Sequence, residues 1–415
     1  MKEIKQIIEA FEQARMGGWK TALATVVHVE GSSYRAPGAR MLIREDGLLT
    51  SAISGGCLEG DALRKALMVI MQGRPLLVTY NTTDGADEAI GIHLGCNGVI
   101  RVLIEPIDPE TSIHPIILLK KAVEQKEEVV LVTLFSLENY RDTRQGTRLL
   151  VKKGDVLNET AFHLTCKSDH QRLSCFESRM LKDIKKVFEV AQSLFITYQG
   201  ADQQGTAKEM SATDYQSDPM SDPITAFLEY VKPAISLVIA GAGNDVIPVV
   251  QMAGWMGWET TLIDGRPNYA HAGRFSGCQI IVAAPESAYL DEVVGSRSAC
   301  LLMSHNYDYD KAMLRRLSEY PVTYIGMLGP RKKFERIMRE LKAEGVSFSD
   351  EQLSGLYGPV GLDIGAETAE EIACSVIAEI NMAFSTGTGK PLSTLPGRIH
   401  HRDTDILNTV QGISK

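Results

Sequence analysis

The sequence has no cysteine pairing pattern, no long apolar run, no excess of positive charge and no internal repeat. Seven cysteines stand at Cys57, Cys96, Cys166, Cys175, Cys278, Cys300 and Cys374, an odd number with no C-x-x-C spacing. That distribution supports neither a disulfide framework nor a structural zinc site, so the chemical interest lies in the individual thiols. No stretch reaches the ~18 consecutive apolar residues of a membrane span. Residues 1–9, MKEIKQIIE, read as an amphipathic helix rather than a charged leader with an apolar centre. The expectation is a soluble, cytoplasmic protein with no membrane partner. With 43 Lys and Arg against 52 Asp and Glu, the formal net charge is -9. Bulk electrostatics gives such a chain no grip on a polyanion, and nucleic acid is not an expected partner.

What is present is enough for two or three domains: 415 residues, 44% of them hydrophobic and 23% charged. From Lys20 to Glu105 the pattern reads strand (Thr21 to Val29), loop (Gly31 to Gly38), strand (Ala39 to Arg44), helix (Leu58 to Met71) and further strands, a compact α/β or α+β unit. A middle span carries strands at Glu128 to Phe135 and Thr147 to Lys152, a helix near Met180 to Ser193, and a polar tract from Gly200 to Asp222 that reads as a linker or long loop. Beyond Pro223, strands at Ile235 to Ala240, Thr260 to Asp264, Gln279 to Ala283, Cys300 to Ser304 and Thr323 to Met327 alternate with helical spans. That alternation predicts a Rossmann-like, doubly wound parallel sheet with ligands beyond the carboxyl ends of its strands. A closing helix near Ala369 to Met382 carries a capping box in Thr368 and Glu371 and an apolar stripe of Ile372, Val376, Ile377 and Ile380. The resulting division is 1–108, 109–222, 223–390 and a tail, 391–415.

Two glycine-punctuated strand ends carry the chemistry. In GAGNDV, residues 241–246, an apolar strand runs into Gly241 and Gly243 and then a helical pattern, which presents backbone N–H groups to a phosphate. Asp264 closes the next strand about 20 residues on, where a carboxylate meets a ribose hydroxyl. Val246 replaces the third small residue of the fingerprint, which leaves open a dinucleotide, another phosphate-bearing ligand, or a scaffold that binds none. His305, at the tip of the strand from Cys300, projects beside Gly243, either as an acid or base or as an ordinary hydrogen-bonding residue. Arg331 and Lys332 follow a Gly-Pro turn and form a second anion site or a solvated helix start.

The other strand end is SGGCLE, residues 54–59, in which Gly55 and Gly56 deliver Cys57 to a helix start. The positive end of a helix dipole favours thiolate over thiol and makes the sulfur more nucleophilic and more metal-competent, although Glu59 and Asp61 oppose that charge. Cys96 lies in a similar glycine bend, LGCNG at 94–98, and both thiols are candidate metal ligands. Arg35 and Arg40 flank Pro37 and Gly38, placed either to fix an anionic ligand with their forks or to lie at the surface.

Taken in order, GSSYRAPGARM (31–41), SGGCLE (54–59), LGCNG (94–98), GAG (241–243), DGRP (264–267), MSH (303–305), YIGMLG (324–329) and PVGLDIGA (359–366) resemble the XdhC/CoxI family of xanthine dehydrogenase accessory factors. The resemblance spans both terminal parts of the chain and leaves Thr111 to Asp222 unmatched. It implies a chaperone rather than a stand-alone enzyme, one that binds molybdenum cofactor (molybdopterin) and supports its sulfuration or insertion into a xanthine dehydrogenase-type molybdoenzyme. A cysteine desulfurase and a second copy of the chain are the further partners it leaves open. On that basis Cys57 is the first candidate metal ligand or sulfur relay, Gly241 and Gly243 cradle phosphate, and His305 and Arg331 line the same crevice. Two alternatives stand beside it: an NAD(P)-dependent oxidoreductase with His305 as proton donor, and an interaction module whose glycines only make turns.

Overall fold

The computed structural model describes residues 1–31, 33–81, 98–111, 114–138, 144–157, 170–198, 223–295, 297–385 and 387–395, with the side chains of 156–157 and 170–178 excepted. Cys96, Cys166 and the polar tract 200–222 lie outside the described residues. The chain divides into two compact units between Pro233 and Ala234.

The first unit runs α1 (Lys2–Met16), β1 (Thr21–Gly31), β2 (Arg40–Arg44), β3 (Leu49–Ser51), α2 (Glu59–Gln72), β4 (Leu76–Asn81), β5 (Gly98–Ile107), α3 (Pro115–Glu124), β6 (Val129–Phe135), β7 (Gly146–Lys152), α4 (Lys153–Leu157), α5 (His170–Val190), β8 (Leu194–Tyr198) and β9 (Ile224–Val231). Strands β3-β2-β1-β5-β4 form one antiparallel sheet and β7-β6-β9-β8 another. Of the two classes open from sequence, the unit is therefore α+β.

Strand alternation decides how these sheets stack. Alternate residues of β1, β2 and β5 (Val26, Met41, Ile43, Val102, Ile104) meet Leu58, Ala62, Ala66 and Val69 at the start of and along α2. The opposite faces bring Val27, Leu77 and Leu103 against Phe135 and Phe227 of the second sheet. Ile7 and Phe11 of α1 and Leu119 of α3 fill the same inner layer beside Leu23 and Leu131. Met180, Ile184 and Val187 of α5 cover the outer face of the second sheet at Val130, Val132 and Leu228. Because β9 pairs with β6 along its whole length, the strands after α3 are the second sheet of this unit, and the segment from Pro223 to Pro233 belongs with them.

The second unit runs β10 (Ser236–Ala240), α6 (Val246–Met256), β11 (Glu259–Ile263), β12 (Gln279–Ile281), β13 (Ser298–Leu302), α7 (Tyr307–Leu317), β14 (Tyr324–Met327), α8 (Arg331–Ala343), α9 (Asp350–Ser354), β15 (Leu356–Tyr357) and α10 (Ala369–Ala383). All six strands are parallel, in the order β12-β11-β10-β13-β14-β15. Counted within the unit this is three-two-one-four-five-six, the doubly wound dinucleotide-type order, as the strand and helix alternation predicts. Helices α6 and α10 bury Val246, Val249, Val376 and Ile380 on one face, and α7 and α8 bury Met313, Leu314, Ile337 and Leu341 on the other. The strand order reverses between β10 and β13, the place where a sheet of this kind seats its ligands.

Candidate functional site

The thiol of Cys57 sits in the first unit on a turn built by its neighbours. The hydroxyl of Ser54 accepts from the backbone N–H of Gly56 (3.2 Å) and of Leu58 (3.1 Å), and lies 3.4 Å from the Cys57 Sγ that donates to it. It donates in turn to Glu59 Oε2 at 2.5 Å. Glu59 also accepts from the N–H of Ser54 (2.8 Å) and of Leu58 (3.1 Å). Glu59 thus spends its carboxylate closing the turn, and Asp61 spends its own on Arg64, Lys65 and the hydroxyl of Tyr80. Gly56 adopts φ +111°, which a side chain rarely tolerates, and the ring of Tyr34 lies 3.5 Å from where a Cβ on Gly55 would stand. Cys57 is left half-buried and free of disulfide.

Arg35 and Arg40 flank this turn's neighbouring loop and both are engaged. The Arg35 guanidinium lies 2.6 Å from both oxygens of Glu3. Arg40 is 3% exposed, donates to Gly38 O at 2.9 Å, and forks onto both oxygens of Glu229, which joins β2 of one sheet to β9 of the other. A second tie crosses the same layer, where the buried Glu105 of β5 accepts from the N–H (2.7 Å) and hydroxyl (2.8 Å) of Thr147 on β7. Both arginines hold the unit's own carboxylates.

In the second unit Gly241 follows β10 at φ +127°, and a Cβ there would stand 2.3 Å from the carbonyl oxygen of Met303. Only glycine lets the two strand ends approach this closely. His305 takes the left-handed conformation (φ +57°), uncommon for a side chain of its size, and its ring reaches within 3.6 Å of the Cβ position of Gly243. Its Nε2 pairs with Asp245 Oδ2 at 2.8 Å, and the ring is 61% exposed. Gly243 and His305 therefore meet, as their strand-end placement predicts.

Asp264 is buried and taken. Its oxygens accept from the N–H and Nε of Arg266 (2.9 Å each) and from a terminal guanidinium nitrogen (2.7 Å). Burial pushes this carboxyl up, the Arg266 bonds pull it down harder, and the net is a carboxyl held below its ordinary value. Arg266 and Arg274 also lie over the ring of Tyr269, at 4.4 and 5.5 Å from its centre. Arg331 is exposed at the first position of α8, after Gly329 at φ +126°.

Several residues shape the site through pairings that the sequence patterns do not reveal. Ser54 and Glu59 clamp the thiol turn, and Asp245 partners His305 across 60 positions of chain. Arg274 braces the glycine turn through Ala242 O (2.9 Å) and Asn244 Oδ1 (2.7 Å). The buried Asp310 accepts from the hydroxyl of Ser304 (2.6 Å) and pairs with Lys333 (2.5 Å), which fixes the turn carrying His305 to the start of α8. Ser54 and Glu59, which begin and end SGGCLE, and Asp245 in GAGNDV stand inside visible motifs, and that was the readable clue.

Comparison with known proteins follows both units. Residues 237–380 match the XdhC Rossmann domain and residues 14–81 the XdhC and CoxI family. A probable xanthine dehydrogenase subunit from Bacillus subtilis (strain 168) is 27% identical over 363 residues, 87% of this chain and 92% of its own length. The molybdenum cofactor insertion chaperone PaoD of Escherichia coli (strain K12) is 22% identical over 376 residues, 91% of this chain and 87% of its own. A crystal structure of a xanthine dehydrogenase from Bacillus halodurans, 27% identical, aligns with a TM-score of 0.65 over 94% of this chain and 98% of that one.

Proposed function

The chain belongs to the XdhC and CoxI family, and from that premise we propose that it binds molybdenum cofactor as cargo, protects it, and supports its sulfuration or insertion into a xanthine dehydrogenase-type molybdoenzyme. The observation that carries the proposal is Cys57: a free, half-buried thiol on a turn whose two glycines, serine and glutamate are all spent on holding it. A thiolate is a soft donor suited to a metal already carrying sulfur ligands, and a clamped turn presents it without the entropy of ordering a loop. Relatives named for xanthine dehydrogenase and for cofactor insertion match along both units and support the same assignment.

Residue roles follow from placement. Cys57 offers sulfur to the metal end, with Gly55 and Gly56 keeping its approach open. In the second unit Gly241 lets the ends of β10 and β13 meet and Gly243 makes room for the Asp245 carboxylate, while His305 and Arg331 present a ring nitrogen and a guanidinium at neighbouring strand ends for the cargo's phosphate-bearing end. Arg35, Arg40 and Asp264 act by shaping the unit through Glu3, Glu229 and Arg266. Cys96 is proposed as a second sulfur donor, and a cysteine desulfurase as the source of sulfur where the cargo is sulfurated. Reduced thiols suit a cytoplasmic setting. Light scattering tests the proposed homodimer.

The deciding experiment is anaerobic purification from a molybdenum-replete host, followed by metal analysis and detection of the oxidised fluorescent pterin. Molybdenum and pterin are expected in near-equal amounts in the parent protein and reduced at least tenfold in Cys57→Ala. Cys57→Ala that retains and delivers cofactor as the parent does removes the thiol role. Absence of both from the parent, with NAD bound instead, removes the function.

A further inference from the structure

We infer that Asp245 is the specificity-determining residue of the second unit's crevice, and that it turns away ligands carrying a diphosphate. In a doubly wound sheet of this strand order a dinucleotide lays its diphosphate over the second glycine of the fingerprint, against the first turn of the following helix. Here that place is occupied. Asp245 stands at the N-cap position of α6, but its side chain makes no capping hydrogen bond to the helix. Its Oδ1 lies 2.3 Å from the Cβ position of Gly243, so the carboxylate stands directly against that glycine, and its Oδ2 is held by His305.

Asp245 differs from the neighbouring carboxylates in its partner, the ring of His305, which is charged only when protonated, whereas theirs are permanent cations. Asp264, on the neighbouring strand end, is balanced by Arg266, and Asp310, beneath His305, is balanced by Lys333. Arg274 sits on the carbonyl side of the turn, donating to Ala242 O, Tyr269 O and Asn244 Oδ1. A diphosphate arriving at Gly243 meets a like charge a few ångströms away, where mutual repulsion is strong at the modest effective dielectric of a crevice. Two further features act in the same direction. The buried side chain of Val246 occupies the third small position of the fingerprint, and both oxygens of Asp264 are already bonded to Arg266 rather than open to a ribose. Selectivity of this kind comes from placing a repulsive group against the wrong ligand.

The inference goes beyond the cargo proposal and is read without molybdenum. The full chain and its Asp245→Asn variant, which keeps the shape and removes the charge, are titrated with NADH by fluorescence and with adenosine by calorimetry. NADH binding is expected to strengthen at least tenfold in Asp245→Asn, while adenosine, which carries no phosphate, changes less than twofold. Asp245→Glu, which keeps the charge, is expected to exclude NADH as the parent does. Asp245→Ser supplies the same neutral arm should Asp245→Asn fail to fold. NADH affinity unchanged in the neutral variant, or adenosine gaining as much as NADH, overturns the inference. Retention or loss of copurifying molybdenum bears only on the cargo proposal.

Discussion

A cysteine's use is set by its surroundings, and the described thiols here differ sharply. Burial pushes the Cys300 thiol up to about 12, since the interior of the parallel sheet penalises the anion. Burial raises Cys278 as well. Cys374 is exposed on α10, and Cys57 is half-buried on its clamped turn. The thiolate is the nucleophile, so a thiol with a raised value is nearly all protonated at pH 8. Iodoacetamide at that pH is expected to label Cys57 and Cys374 at least tenfold faster than Cys300, read by peptide mass spectrometry in the native protein. Labelling of Cys300 at a rate equal to Cys57 contradicts the burial argument.

The helices show how local chemistry and distant pairing share control of the fold. At the start of α10 the Thr368 hydroxyl accepts from the N–H of Glu371 at 3.3 Å, and the Glu371 carboxylate accepts from the N–H of Thr368 (3.0 Å) and of Glu367 (2.9 Å). Val376, Ile377 and Ile380 then bury their side chains against α6 and the sheet. Thr368→Ala removes one arm of that capping box and is expected to cost about 1 kcal/mol, read as a lower urea midpoint with unchanged slope. An unchanged midpoint excludes the cap as a source of stability.

Such a cap is legible in the sequence because both partners lie within four residues and their types are diagnostic. The parallel sheet was legible for a related reason: each apolar run is followed by its own helix, and right-handed crossovers leave few arrangements. Strand β9 was not, since its partner β6 begins about a hundred residues earlier and non-local pairing leaves no periodic trace. The short β8 and the apolar α3 escaped for lack of a clear period. At the candidate site, the meeting of Gly243 with His305 follows from topology. The carboxylates that engage Arg35 and Arg40 do not, because Glu3 and Glu229 are brought to them only by the packing of α1 and of β9.

At the scale of the whole molecule, the balance of carboxylates sets the response to acid. Glu30, Asp46, Asp61 and Glu128 in the first unit, and Asp264, Glu340 and Glu371 in the second, are all held below their ordinary values. The causes are the Arg101 bond at Glu30, the Arg44 fork at Asp46, and the Lys311 and Arg336 bonds at Glu340, with Asp46 and Glu340 lowered to about 2. A carboxyl lowered in the folded state stabilises it at pH above the unfolded value, and that contribution is lost as pH falls toward the folded value. Glu105 has the opposite sign: burial raises it, so its ionised form is a cost that acid relieves. Burial holds His28 and His114 below their ordinary value as well, so acid is destabilising overall, with a first loss as pH falls through the ordinary histidine range near about 6.5 and a larger one below about pH 5, where unfolded carboxyls start to bind protons. Calorimetry is expected to show a melting temperature that falls modestly from pH 7 to 5 and is lower by at least about a further 5 °C at pH 3.5. Where separate transitions are resolved for the two units, both fall, since each holds lowered carboxyls. A melting temperature that holds or rises between pH 5 and 3.5 means that the ion pairs and hydrogen bonds at these seven positions contribute nothing to the folded state that water does not supply to the unfolded chain.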